Sequence, residues 1–163
     1  MIGIRLVNIK PMINGGGQER NMRAGTENLY GIIGFAKALE IAMSRYEQDS
    51  AYIADLKQYM ATQLQERVEN VSFNGDANGS CLYTVLNVAF PRSEKSEMIL
   101  FNLDIAGICV SGGSACSSGA NAGSHVINSI NNNPNQVPVR FSFSRHNTKE
   151  QVDTVIDKVI ESL

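Results

Sequence analysis

Apolar residues return at helical spacing early in the chain, at Leu29, Ile32, Ile33, Ala36, Leu39, Met43 and Tyr46. This pattern predicts a long helix with one buried face. Ile53, Leu56, Met60 and Leu64 continue the period, and with Asp49 or Ser50 as cap they predict a second helix from about Ser50 to Val68, paired with the first as a hairpin. The period then changes. "VSFNGDANGSCLYTVLNVAF" reads as a short strand, a turn marked by Gly75, Asp76, Asn78 and Gly79, and a longer strand through Phe90 that Pro91 ends. "SEKSEMILFNLDIAGI" predicts a short helix with Ser93 as cap and Gly107 as stop, followed by a brief strand at Cys109 and Val110. A short helix is expected near Ser124 to Ile130. "VPVRFSFSR" then alternates, with Val139, Phe141 and Phe143 on one face and Arg140, Ser142 and Ser144 on the other. Thr148 and Gln151 form a capping box for a last helix, whose stripe is Val152, Val155, Ile156, Val159, Ile160 and Leu163. Strands interspersed with helices in this way predict an α+β two-layer domain.

Composition narrows the classes. A chain of 163 residues suits one domain, with 43% hydrophobic and 18% charged residues as in ordinary globular proteins. The formal charge of -2 argues against nucleic acid as a partner, since such surfaces cluster Lys and Arg against phosphates. No apolar run approaches the roughly 20 residues of a membrane helix, so no membrane partner is expected. The opening "MIGIRLVNIKPMING" reads as no secretion signal, and a cytoplasmic location is the expectation. Three cysteines, Cys81, Cys109 and Cys116, do not make a disulfide framework. No CxxC occurs and the two histidines stand alone, so no metal site is expected.

Three stretches carry candidate chemistry. Cys116 lies in "VSGGSACSSGANAGS", a loop of Gly, Ser and Ala with no bulky neighbour, which is the setting of an accessible, reactive thiol; the bland alternative is an incidental cysteine on a surface loop. Cys81 and Cys109, in apolar contexts, are expected to be buried small hydrophobes. Arg140 is the one charge in its strand and could anchor a carboxylate bidentately, or simply make a surface salt bridge. "GGGQERNMRAGT" places glycines, Arg20 and Arg23 ahead of Thr26 at a helix start, a pattern that suits phosphate; Thr26 as a plain helix cap explains it equally well. It is not a P-loop, because no Gly-Lys-Ser/Thr follows.

Taken in order, "GGGQERNMRAGTEN" before a long helix, "SGGSACSSG", and "VRFSFSRHNT" before a last helix resemble the C-terminal part of cysteine desulfurases of the nitrogen-fixation and iron–sulfur-cluster type. These are pyridoxal-phosphate enzymes of the class V aminotransferase group. The resemblance implies the two-layer small domain of a fold-type I PLP-dependent transferase with a long N-terminal connecting helix. Residues 1–26 would be the remnant of the large cofactor domain and its glycine-rich loop, and residues 27–163 the helix and small domain. It also implies conversion of L-cysteine to L-alanine, with sulfur passed to Cys116 as a persulfide and on to an acceptor or scaffold protein for iron–sulfur cluster assembly or tRNA thiolation. Arg140 matches the arginine that clamps the substrate carboxylate. Thr26 matches the threonine that reaches the partner subunit's cofactor phosphate in a homodimer, and Arg23 lies in the same cofactor-binding loop.

The family's cofactor lysine sits in a Ser-x-His-Lys-x-x-Gly-Pro-x-Gly-type segment, and none of Lys10, Lys37, Lys57, Lys95, Lys149 or Lys158 has that context. The chain is therefore expected to be inactive alone. Ser144 stands where relatives often have glycine. Two other readings keep the same motifs: a non-enzymatic sulfur carrier or scaffold-docking module, and a selenocysteine lyase or other class V member.

Overall fold

A computed structural model describes residues 10–77, 79–112, 124–131 and 133–163. Asn78 of the predicted turn, and Cys116 with most of its loop, lie outside the described residues. The chain divides into two compact units, Met1–Arg45 and Tyr46–Leu163, with the division falling inside one helix.

That helix, α1, runs Leu29–Arg67 without a break, so the predicted hairpin does not form. The reason is local. Ser44 and Ser50 donate their hydroxyls back to the carbonyls of Ile41 and Glu47 (2.9 and 3.1 Å) instead of capping a new helix. No Gly or Pro occurs between Phe35 and Asn74 to interrupt the ladder.

In the first unit, the stripe predicted to be buried is bare in this chain: Leu29, Ile33, Leu39 and Met43 are 63, 67, 51 and 68% exposed. Nor does Thr26 cap the helix. Asn28 does, its Oδ1 accepting the Gly31 N–H at 3.0 Å, so the cap lies two residues later than expected.

The second unit is the predicted α+β layer pair. Strands β1 (Ser72–Phe73), β2 (Val85–Pro91) and β3 (Gln136–Ser142) form one antiparallel sheet in the order β1-β2-β3. The register sets Leu86 opposite Phe141 and Val88 opposite Val139. One sheet face therefore carries Leu86, Val88, Phe90, Val139 and Phe141, all buried. These residues form a single core with Ile53, Leu56, Met60 and Leu64 of α1, Ile99 and Leu103 of α2 (Ile99–Ile105), and Val152, Ile156 and Val159 of α4 (Lys149–Glu161). The expected punctuation is present: Ser93 Oγ accepts the Ser96 N–H at 3.0 Å, and Gly107 takes φ +75° where α2 stops. Thr148 and Gln151 make the reciprocal capping box of α4. Polar ties also join α1 to α4 and the turn before it, from Tyr52 to the Asn147 carbonyl (2.8 Å), Tyr59 to Asp153 (2.6 Å) and Arg67 to Asp157 (2.7 Å).

Candidate functional site

Arg140 occupies the middle of β3 on the face turned away from the core, exposed between buried Val139 and Phe141. The alternation of the strand puts it there. Among the described residues its guanidinium enters no ion pair. Its backbone is held from both sides. Asn87 of β2 lies opposite it in the sheet, and Ser111 pairs with it across the other edge, through Arg140 N–H to Ser111 C=O (2.7 Å) and Ser111 N–H to Arg140 C=O (3.1 Å).

Ser111 is the root of the cysteine loop. Along the sequence Cys116 follows five positions after Ser111. A Cβ on Gly112 would meet a terminal methyl of Leu100, which would have to shift to admit it. Beyond residue 123 the chain re-enters at α3 (His125–Ile130), capped by the Ser124 hydroxyl on the Ile127 N–H.

The far end of α3 is fastened to the same sheet by an amide chain that the sequence reading missed. Asn131 Nδ2 donates to Asn74 Oδ1 (2.7 Å) and Gln136 Oε1 (3.1 Å), Asn74 Nδ2 to Asn87 Oδ1 (2.8 Å), and Gln136 Nε2 to Ser72 Oγ (2.8 Å). Only the polar Asn87 inside apolar "TVLNVAF" hinted at it. Both ends of the segment that carries Cys116 are thus tied to β3, at Arg140 and at Gln136.

Cys81 and Cys109, expected to be buried, are both exposed. Cys81 precedes β2, which begins only at Val85, and Cys109 points outward between half-buried Ile108 and Val110. Cys109 lines a cavity of about 490 Å³ with Ile108, Val110, Phe141, Phe143 and Val152. No charged side chain lines that cavity; its polar lining is Ser142, Asn147, Gln151 and Thr154.

In the first unit the glycine-rich loop is internally cross-tied. Glu19, Arg20 and Asn21 have φ of 47, 56 and 65°, a left-handed turn costing roughly 1–2 kcal/mol per residue. Gln18 Oε1 helps hold it by accepting the Gly25 N–H at 3.1 Å. Arg23 donates to the Gly25 carbonyl (2.8 Å) and to Glu27 (2.5 Å), with Glu19 3.9 Å away. Its charge is therefore engaged inside the loop. Thr26 and Arg20 are exposed. Of the residues read as phosphate-directed, Thr26 is exposed, while Arg23 is turned to the carbonyls and Glu27 of its own loop.

A helix-backed antiparallel sheet is the frame of this chain, and the chain belongs to the aminotransferase class-V family, whose profile matches residues 7–155. Within that family its curated relatives are more particular. It is 38% identical over 165 residues to cysteine desulfurase IscS of Dictyoglomus turgidum, covering 95% of this chain and 40% of that protein. It is 41% identical over 160 residues to a cysteine desulfurase of Gluconacetobacter diazotrophicus, covering 94% and 38%. The solved structure of a NifS-like protein from Rickettsia africae ESF-5 matches with a TM-score of 0.75 at 27% identity, over 96% of this chain and 40% of that one. A second NifS-like protein gives 0.76 at 29% identity. The chain thus spans about two fifths of the length of the relatives it matches.

Proposed function

We propose that this chain is the C-terminal portion of a pyridoxal-phosphate-dependent cysteine desulfurase that converts L-cysteine to L-alanine and leaves the sulfur on Cys116 as a persulfide. The observation that supports this most directly is Arg140, whose guanidinium enters no ion pair among the described residues, on the strand that pairs with Ser111 at the root of the Cys116 loop. An arginine fixed on a strand offers a fork matched to a carboxylate, so it orients the substrate while the loop delivers the nucleophile. The overall reaction is L-cysteine plus enzyme thiol to L-alanine plus enzyme persulfide. An S–S bond forms at Cys116, the substrate C–S bond breaks, and its electron pair leaves with carbon, which gains a proton to become the alanine methyl. Pyridoxal phosphate supplies the electron sink for this chemistry when bound. Thr26 donates its hydroxyl to the cofactor phosphate across a homodimer interface, positioned by the loop that Arg23 braces. The persulfide then passes to an acceptor protein of iron–sulfur cluster assembly or tRNA thiolation.

The test joins the chain to the upstream part of its parent and measures alanine from L-cysteine with a thiol reductant. The joined protein is expected to turn over and the chain alone to produce none. Cys116→Ser should abolish alanine formation, and Arg140→Ala should lower kcat/KM by about 10- to 100-fold, the worth of one charge-assisted contact. Full activity in Cys116→Ser would overturn the reading.

A further inference from the structure

Lys57 has no place in that reaction, yet its position is unusual. Lysine stems ordinarily carry their ammonium to water, and charged groups go inside only when paired. Lys57 is 5% exposed, on the buried side of α1 with Leu56, Met60 and Ala61. Among the described residues no carboxylate pairs with it. Its Nζ instead donates to the Leu82 carbonyl at 3.1 Å and approaches Cys81 Sγ at 2.9 Å. That separation is typical of an N–H···O bond although sulfur is the larger atom. Cys81 itself is exposed. A shielded nitrogen is thus aimed at a sulfur that small oxidants can reach, with room for a single bridging atom between them.

We propose that Lys57 and Cys81 form a modification site at which dioxygen places one oxygen atom between Nζ and Sγ, giving a reversible N–O–S crosslink between α1 and the connection from β1 to β2. Thiol, ammonium and one dioxygen yield the bridge, one water and one proton. The S–H bond and two ammonium N–H bonds break, and S–O and N–O bonds form. Sulfur and nitrogen each give up two electrons, and the four electrons reduce the two oxygen atoms. Two equivalents of a dithiol supply four electrons to restore the thiol and the amine, releasing the bridging oxygen as water. The site needs no cofactor and no residue of the proposed reaction centre, so it stands or falls apart from the desulfurase reading.

The experiment compares the purified, dithiol-reduced chain kept anaerobic with the same chain in air-equilibrated buffer, by intact mass and tryptic map. In air the expected gain is about 14 Da, one oxygen in and two hydrogens out, as distinct from the about 16 or 32 Da of stepwise cysteine oxidation. Trypsin should no longer cut after Lys57, the Lys57 and Cys81 peptides should run as one species, and dithiol should reverse both effects. Cys81→Ser, at an exposed position, and Lys57→Gln should each abolish the species. An unchanged mass in air, oxidation of Cys81 with Lys57 still cleaved, or a disulfide from Cys81 to another cysteine would overturn the proposal. The wild-type map decides this even if Lys57→Gln does not fold.

Discussion

The two halves of α1 share one helical ladder and similar apolar richness, yet they differ completely in burial. Over residues 29–45, Leu29, Ile33, Phe35 and Met43 are 63, 67, 73 and 68% exposed, whereas Ile53, Leu56, Met60 and Leu64 are 6, 5, 1 and 0% exposed. The latter half lies on a sheet and α4, which supply its cover. The earlier half is apolar on several sides, with Tyr30, Ile32 and Ile41 as well, the composition of a helix that is enclosed in a complete protein. Hydrophobic periodicity thus reports a helix's need for a partner. It does not say whether the partner is on the same stretch of chain.

The largest expected effect breaks this comparison by truncation. Leu64→Ala should destabilise the chain by about 2–5 kcal/mol in urea denaturation, since it opens a cavity in the core. Leu39→Ala should change it by no more than about 0.5 kcal/mol, as at other exposed sites. In the longer parent proposed above, Leu39→Ala should instead approach the cost of a core truncation. A cost as small there as in the chain would mean that the helix half stays bare.

What the sequence made legible follows the same division between local and distant causes. The capping box at Thr148, the α4 stripe and the alternation that turns Arg140 outward were readable because each depends on a few neighbouring residues. The single α1 was misread because Ser50 looks like a cap until its hydroxyl is seen to bond the Glu47 carbonyl three residues back. Cys81 and Cys109 were misread because strand onset and turn placement are set by partners far along the chain. The pairing of Ser111 with Arg140 and the amide chain through Asn74, Asn87 and Asn131 join segments that only the folded sheet makes neighbours.

Helix caps sharpen the comparison at a smaller scale. Thr148→Ala removes the side-chain acceptor at the start of α4, which lies in the core-bearing unit, and should cost about 1 kcal/mol of global stability. Asn28→Ala removes the equivalent acceptor at the start of α1. There the first turns open locally, so the urea midpoint should stay put while amide exchange at Gly31 and its neighbours accelerates. A matching loss of global stability in both variants would show that the bare half of α1 unfolds together with the core.

The smallest effect concerns the polar tie between the covered half of α1 and α4. Tyr59 donates its hydroxyl to Asp153 at 2.6 Å, and this hydrogen bond, with desolvation and the nearby carboxylate charge adding to it, raises the tyrosine above its ordinary value. A group whose folded-state value is raised holds its proton more tightly when folded. Its contribution is fully present below the ordinary value of about 10 and is lost as pH rises through the higher folded value. The wild-type chain should therefore lose slightly more stability than Tyr59→Phe between pH 9 and pH 11, roughly the tyrosine titration range. Urea midpoints of the two proteins across that range check it. Because Tyr59 is solvent-accessible, the difference should be small beside the truncations, and parallel pH profiles would mean that its hydrogen bond to Asp153 does not persist in solution.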